Sequence, residues 1–252
     1  MTQMILHGCL GKMGRAVCRL AEEDANIEII AGIDAGTSSM ALPFPVFADP
    51  EDCSLPADVI VDFSTATAVP ALLRYGMIRR IPVAICTTGL SEACKQEMQA
   101  ASEKTAVFQS PNMSLGITLL AKLLKTAVQI LSESHFDIEI AEKHHSQKID
   151  APSGTAVLLA DAMNESGRYR YIYDRSQVRA KRSPDEIGIF SLRGGTIVGE
   201  HSVLFAGRDE MLEFTHTALS KDVFAAGALK AAQFLKGKPP GFYRMEDLLG
   251  AL

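Results

Sequence analysis

Met4-Ile5-Leu6-His7-Gly8-Cys9-Leu10-Gly11-Lys12-Met13-Gly14-Arg15-Ala16-Val17-Cys18-Arg19-Leu20 runs from a short apolar strand pattern through a glycine-rich turn into a stretch where Met13, Ala16, Val17 and Leu20 share one helical face. That is the opening of a βαβ unit. The absent side chains of Gly8, Gly11 and Gly14 permit a tight turn and bring backbone N–H groups, at the positive end of the next helix, close to a phosphate. Leu10 stands where a strict G-x-G-x-x-G has its second glycine, so the loop alone leaves a purely structural turn open. Asp34 supplies the context: it follows the second strand pattern, twenty positions after Gly14, where a carboxylate accepts both ribose hydroxyls of an adenosine. A 2′-phosphate would meet this carboxylate at a cost of roughly 4 kcal/mol for two charges ~4 Å apart at an effective dielectric near 20, which favours NADH over NADPH.

Working outward, apolar runs at 27–33, 58–63, 81–86 and 106–109 alternate with helical segments at 66–80 and 91–103, which implies a parallel sheet with helices on both faces. Cys86-Thr87-Thr88-Gly89 and Ser110-Pro111-Asn112-Met113 end two of these strands, at the carboxyl edge where open α/β sheets bind ligands. Each is also ordinary turn chemistry. After about Asn112 the pattern changes to a helix at 114–131, an alternating strand at 137–142, a helix opening near Gly154, and strand-like runs at 189–192, 196–206 and 211–217. The expected architecture is α/β. An N-terminal Rossmann-type parallel-sheet domain (1–112, with a helix at 220–235 returning and 220–252 joining it) precedes a second, α+β domain on a mixed sheet (113–219).

The chain has 252 residues, enough for a sizeable core, with 47% hydrophobic and 22% charged residues in ordinary globular proportion. Lys and Arg number 25 against 30 Asp and Glu, a net charge of -5 that offers no field for nucleic acid or an anionic membrane. Five cysteines, odd in number and without C-x-x-C, fit reduced thiols buried in a cytoplasmic protein. The N-terminus lacks the basic region and cleavage site of a signal peptide, and no apolar run approaches membrane-spanning length. The basic stretch with Arg175, Arg179, Lys181 and Arg182 is expected as a solvated loop.

Glu142-Lys143-His144-His145-Ser146-Gln147-Lys148-Ile149-Asp150-Ala151-Pro152-Ser153-Gly154-Thr155-Ala156 is the chemically densest stretch. Two imidazoles and an ammonium lead into a helix start, and a His-His-x-x-Lys group in that setting points to proton transfer. Ser153 is a helix N-cap, leaving the N–H groups of Gly154 and Thr155 to an anion, naturally a carboxylate. A metal pair is disfavoured, since adjacent histidines diverge and no third ligand stands nearby. His7, His135, His201 and His216 read as core or edge histidines, and without a G-x-S-x-G elbow Ser153 is no nucleophile.

Gly8-x-x-Gly11-Lys12-Met13-Gly14, Thr87-Thr88-Gly89, Asn112-Met113-Ser114-x-Gly116, the block from Glu142 to Ala156, and Gly199-Glu200-His201 together resemble the 4-hydroxy-tetrahydrodipicolinate reductase (dihydrodipicolinate reductase) family of the diaminopimelate branch of lysine biosynthesis. The resemblance spans most of the chain. It implies NAD(P)H-dependent reduction of 4-hydroxy-tetrahydrodipicolinate to tetrahydrodipicolinate and a middle domain that binds substrate and builds a homotetramer. On that basis Gly8, Cys9, Leu10, Gly11, Lys12, Met13, Asp34, Cys86, Thr87, Thr88, Ser110, Pro111, Asn112 and Met113 hold the cofactor. His144 is the proton donor or acceptor and Lys148 a second donor, while His145, Ser153, Gly154 and Thr155 bind the cyclic dicarboxylate. Ala35 follows Asp34 where some members carry an arginine for a 2′-phosphate, which again favours NADH. The competing readings are another two-domain NAD(P) dehydrogenase and a non-catalytic NADH sensor whose only support is the basic stretch.

Overall fold

The computed structural model describes residues 1–36 and 42–252. Its elements begin with β1 Thr2–His7, α1 Lys12–Glu22, β2 Ile27–Ile33, β3 Val46–Phe47, β4 Val59–Asp62, α2 Val69–Arg79, β5 Val83–Ile85, α3 Glu92–Ser102 and β6 Ala106–Gln109. They continue with α4 Leu115–Leu131, β7 Asp137–His144, α5 Gly154–Met163, β8 Arg170–Tyr173, β9 Glu186–Arg193, β10 Gly199–Ala206 and β11 Met211–Ala218, then α6 Asp222–Leu235, β12 Gly241–Tyr243 and α7 Met245–Gly250. Two compact units result, Met1–Leu115 with Lys221–Leu252, and Gly116–Ser220.

In the first unit seven strands lie in the order β12-β6-β5-β4-β1-β2-β3, every neighbouring pair parallel. The pleat of β1 sends Met4 and Leu6 to one side and Ile5 to the other. All three are fully buried, because α1, α6 and α7 cover the first side and α2 and α3 the second. That double cover is why the strand reads as an unbroken apolar run rather than an alternation. From β1 the chain moves to β2 and β3 on one side, then crosses to β4, β5 and β6 on the other. The carboxyl ends of β1 and β4 therefore form a topological switch point, the crevice where such sheets take ligands.

Helix α6 completes this unit's core: Ala225, Ala228, Leu229, Ala232 and Leu235 pack with Val17, Cys18 and Ala21 of α1. The fit leaves no room at Gly227, where an added Cβ would lie 1.7 Å from the carbonyl oxygen of Met113.

The second unit is a five-stranded mixed sheet, β11-β10-β7-β9-β8, antiparallel on the β10 side and parallel on the β9 side. Ile138 and Ile140 of β7, Ile187 and Ile189 of β9, and Val203 and Phe205 of β10 face α4 and α5, which bury Ile117, Leu120, Leu124, Ala156, Leu159 and Met163 against them. The opposite sheet face carries exposed Phe190, Leu192 and Met211.

The α/β class and the split between parallel and mixed sheets are as expected; three differences are instructive. The short strands β3, β8 and β12 and the helix α7 lack the length or periodicity to announce themselves. The stretch Leu115–Ser134 is, by length and composition, long and apolar enough to cross a membrane, contrary to the sequence reading. Lys122 and Lys125 interrupt the run in sequence, and in the helix they fall on the exposed face while Ile117, Leu120 and Leu124 form the core of the unit. The basic stretch is not simply solvated either. Glu186 is a buried carboxylate and draws Arg170 and Arg175, while Arg182 pairs with Asp137 and Glu139, leaving only Arg179 and Lys181 exposed. Arg182, part of the only support for a sensor surface, is thus spent on internal pairs.

Gly227→Ala should destabilise the protein by about 1–3 kcal/mol, the usual cost of an overpacked core. Urea unfolding would measure it; an unchanged midpoint would mean that α6 does not seat against Met113 as described.

Candidate active site

Every expected cofactor contact lies at the carboxyl edge of the parallel sheet. Gly8 follows β1 with φ +81°, and a Cβ there would lie 2.6 Å from the carbonyl oxygen of Phe63. A Cβ on Gly14 would lie 2.2 Å from the carbonyl oxygen of Gly8, so the loop folds flat onto the start of α1 only because both are glycine. Gly11, the N-cap, gives α1 no side-chain cap, and the first turn carries no acid. The first-turn N–H groups have no acceptor within the helix and suit an anion.

A cleft of about 440 Å³ lined by Gly8, Leu10, Gly11, Asp34, Ala35 and Ser64 opens at the switch point. Asp34 enters it at the end of β2 and accepts the N–H groups of Leu10 and Gly36, each at 2.9 Å. It thus fixes the glycine loop as well as facing the cleft. Cys9 and Cys86 are buried thiols. Burial, then the charge of Asp34, pushes Cys9 up to about 12, and burial and then Asp62 raise Cys86 well above a normal thiol. Neither is reactive, and any contact they make to a cofactor is through the backbone. Thr87, just past β5, buries a hydroxyl with no hydrogen-bond partner, and Ser110 donates to the carbonyl oxygen of Asn112 at 2.6 Å. The flat loop, the uncapped helix start and the orphaned Thr87 hydroxyl all fit a dinucleotide. Phe63, Ser64 and Thr65 also line the cleft and were not expected; their position after β4, at the switch point, was the available signal.

The histidine–lysine segment sits in the second unit. Inward positions of β7 run Ile138, Ile140, Glu142, His144, so the face that is apolar at one end turns polar at its carboxyl end. Register sets Glu142 opposite His201 on one side and Ser191 on the other, with His216 beyond His201 and Arg193 opposite His144. A polar row thus crosses four strands. Glu142 has no solvent exposure. Arg193 grips it through both terminal nitrogens at 2.7 Å, Ser153 donates its N–H at 3.0 Å, and His144 Nδ1 lies 2.6 Å from its second oxygen. Burial alone would raise this carboxyl, but Arg193, then Ser191 and His144, hold it down to about 2.

Glu142 is therefore ionised and fixes the proton of His144 on Nδ1, leaving the Nε2 lone pair free. Burial lowers the pKa of His144 against the pull of Glu142, so the ring is neutral near pH 7. Ser153 is buried; its hydroxyl caps Ala156 at 3.1 Å and meets His201 Nε2 at 3.0 Å, so it serves α5 rather than a ligand. His145 is half-buried and its carbonyl accepts the Lys148 N–H at 3.1 Å. Lys148 Nζ lies 2.8 Å from Asp150 Oδ1. His201 is not a bystander: its ring sits 5.1 Å from that of His144 and bonds the cap of α5. The sequence reading missed it, and missed Arg193 and the role of Glu142, because only strand register brings them together.

A parallel-sheet nucleotide cleft in one unit and a braced histidine–lysine cluster in the other define a two-domain nicotinamide-dependent oxidoreductase. The family model for the dihydrodipicolinate reductase N-terminus matches residues 2–113, and that for its C-terminus matches 116–249. The chain belongs to the dihydrodipicolinate reductase family and is an NAD(P)H-dependent oxidoreductase. It is 49% identical over 251 residues to the 4-hydroxy-tetrahydrodipicolinate reductase of Caldanaerobacter subterraneus subsp. tengcongensis, covering 99% of this chain and 98% of that one. It is 45% identical to that of Clostridium tetani, covering 100% and 98%. Among solved structures, dipicolinate-bound dihydrodipicolinate reductase from Paenisporosarcina sp. TG-14 shares the fold with a TM-score of 0.80 at 23% identity, over 98% of this chain and 99% of that one. The C-terminal family model runs through α6, which packs in the first unit.

Burial, then the neighbouring His144, pushes His201 down to about 4, with His216 and Lys148 adding and Glu142 opposing. An unfolded histidine takes its proton near 6.5, so stability present above that pH is lost as pH falls toward 4, by about 3 kcal/mol from this group. His201→Gln should flatten the fall between pH 6.5 and 4.5 by about 1.4 kcal/mol per unit. Urea titrations at several pH values would show it, and an unchanged slope would refute the buried neutral state.

Proposed function

We propose that the chain reduces 4-hydroxy-tetrahydrodipicolinate to tetrahydrodipicolinate with NAD(P)H, the reaction for which its family is named. One observation carries this: His144 and Lys148, on a segment braced by the Glu142–Arg193 pair, lead straight into the start of α5, setting a proton source beside anion donors. The substrate is a small cyclic dicarboxylate, like the dipicolinate bound by the Paenisporosarcina enzyme.

Lys148 neutralises a substrate carboxylate, and the N–H groups of Gly154 and Thr155, with His145, hold and orient the ring. Ser153 and His201 keep the start of α5 in place. His144, neutral and held at Nδ1 by Glu142, is a hydrogen-bond acceptor at Nε2, which leaves Lys148 as the proton donor. The bound nicotinamide supplies a hydride. The backbone from Gly8 to Met13, Asp34, the Cys86–Thr88 turn and Ser110 to Met113 would hold it, and the Asp34 carboxylate, with Ala35 beside it, favours NADH over NADPH.

The exposed sheet face with Phe190, Leu192 and Met211 supports assembly of four chains through the second unit. Five buried, free thiols agree with work in the cytoplasm.

The purified protein, given freshly generated 4-hydroxy-tetrahydrodipicolinate, should oxidise NADH faster than NADPH, followed by nicotinamide absorbance. Lys148→Ala should lose about 10²- to 10⁴-fold in turnover, the worth of a positioned proton donor. Asp34→Ala should weaken NADH about tenfold or more, and NADPH less. No turnover with either cofactor sinks the reaction; equal losses with both sink the role of Asp34. Sedimentation should find four chains, and Phe190→Glu should release smaller species; a monomeric wild type overturns that assignment.

A further inference from the structure

Asp150 carries a carboxylate for which the mechanism above has no use. It stands four residues before Gly154, the first residue of α5, and its Oδ1 lies 2.8 Å from the ammonium of Lys148. That ammonium is one of the donors read above as receiving the substrate. A carboxylate belonging to the protein thus sits where a carboxylate of the ligand would go.

We infer that Asp150 is an internal stand-in for the substrate carboxylate: it satisfies Lys148 in the free enzyme and is exchanged for a carboxylate of the incoming dicarboxylate. Asp150 is then a specificity-determining residue that sets how tightly dicarboxylates bind. The inference rests on the reading of Lys148 as a substrate donor.

The surroundings suit an exchange. The backbone is pinned on both sides of the carboxylate: the Lys148 N–H donates to the carbonyl oxygen of His145 at 3.1 Å before it, and after it Arg193 Nη2 donates to the carbonyl oxygen of Asp150 at 2.5 Å. The side chain is not, being 57% exposed, and its neighbour Ile149 is 98% exposed, so no packing is broken when it turns away. Rotation about χ1 moves the carboxylate while the loop stays. Lys148 is the more confined partner at 22% exposure, so the cation keeps its place and the anion is the part that leaves. Burial opposes the charge of Asp150, but Lys148 holds its carboxyl below the usual range, so the stand-in is anionic at neutral pH. Released, it remains a negative charge near the arriving dianion. Both effects weaken binding relative to a site whose donors stood open.

A purely structural pair predicts the opposite. If Asp150 only ordered the loop, removing its charge would loosen Lys148, and ligand affinity would fall.

Calorimetric titration of the full-length protein with dipicolinate separates the cases. Asp150→Asn and Asp150→Ser, the second polar but shorter and without charge, should each bind dipicolinate about threefold to fivefold more tightly than wild type, the scale of a half-exposed ion pair. Their KM for the substrate should fall by a similar factor while KM for the nicotinamide cofactor does not. Lys148→Met should bind dipicolinate at least about tenfold more weakly, as loss of a charge-assisted contact demands. Weaker or unchanged binding in both Asp150 variants, with Lys148→Met weakened, overturns the stand-in and leaves the site reading intact. Unchanged binding in Lys148→Met removes Lys148 as a substrate donor and takes the inference with it.

Discussion

A carboxylate sealed from water must have a cation with it, and Glu142 has Arg193. Their two-pronged contact ties the block from Glu142 to Ser153 to a strand 51 residues further along the chain. It sets which nitrogen of His144 carries the proton, it anchors the N–H of Ser153 at the start of α5, and through Arg193 it ties down the carbonyl of Asp150. Removing one partner of such a buried pair typically costs about 3–5 kcal/mol, because the other is left charged and alone. Here the geometry of the loop would go with it. The pair is therefore worth more to the site than to the fold, which the apolar layer of Ile138, Ile140, Val203 and Phe205 already holds.

The two units build their sites from different materials. In the parallel sheet the proposed binding groups are backbone N–H groups, laid open because Gly8 and Gly14 let the chain lie flat, with the Asp34 carboxylate beside them. In the mixed sheet the groups are side chains, arrayed in one cross-strand row from His216 through His201 and Glu142 to Ser191. The first arrangement tolerates much variation in side chains. The second depends on each residue in the row.

That contrast explains what could be read in the sequence. The strand, loop and helix from Met4 to Leu20 are local, with all their determinants within one turn of the chain, and Asp34 follows at a fixed distance. The block from Glu142 to Ala156 is also contiguous, so its histidines, lysine and helix cap were visible. Arg193 and His201 were not, since 51 and 59 residues separate them from Glu142 and only pairing of β9 and β10 with β7 unites them. Arg182 misled for the same reason: a basic run looks solvated until the acids of β7 are laid beside it. Ser153 is the N-cap that the sequence reading made it, and its hydroxyl also meets His201.

The return of α6 to the first unit bears on the order in which the molecule becomes competent. Residues 221–252 supply one wall of the core that β1 and α1 need, and β12 pairs with β6. During synthesis the glycine loop emerges before the second unit, yet its sheet stays half-covered until residues 221–252 have followed that unit. A nucleotide taken up only by the covered sheet would favour the finished molecule by mass action. Such uptake would depend on residues 221–252 as much as on the glycine loop.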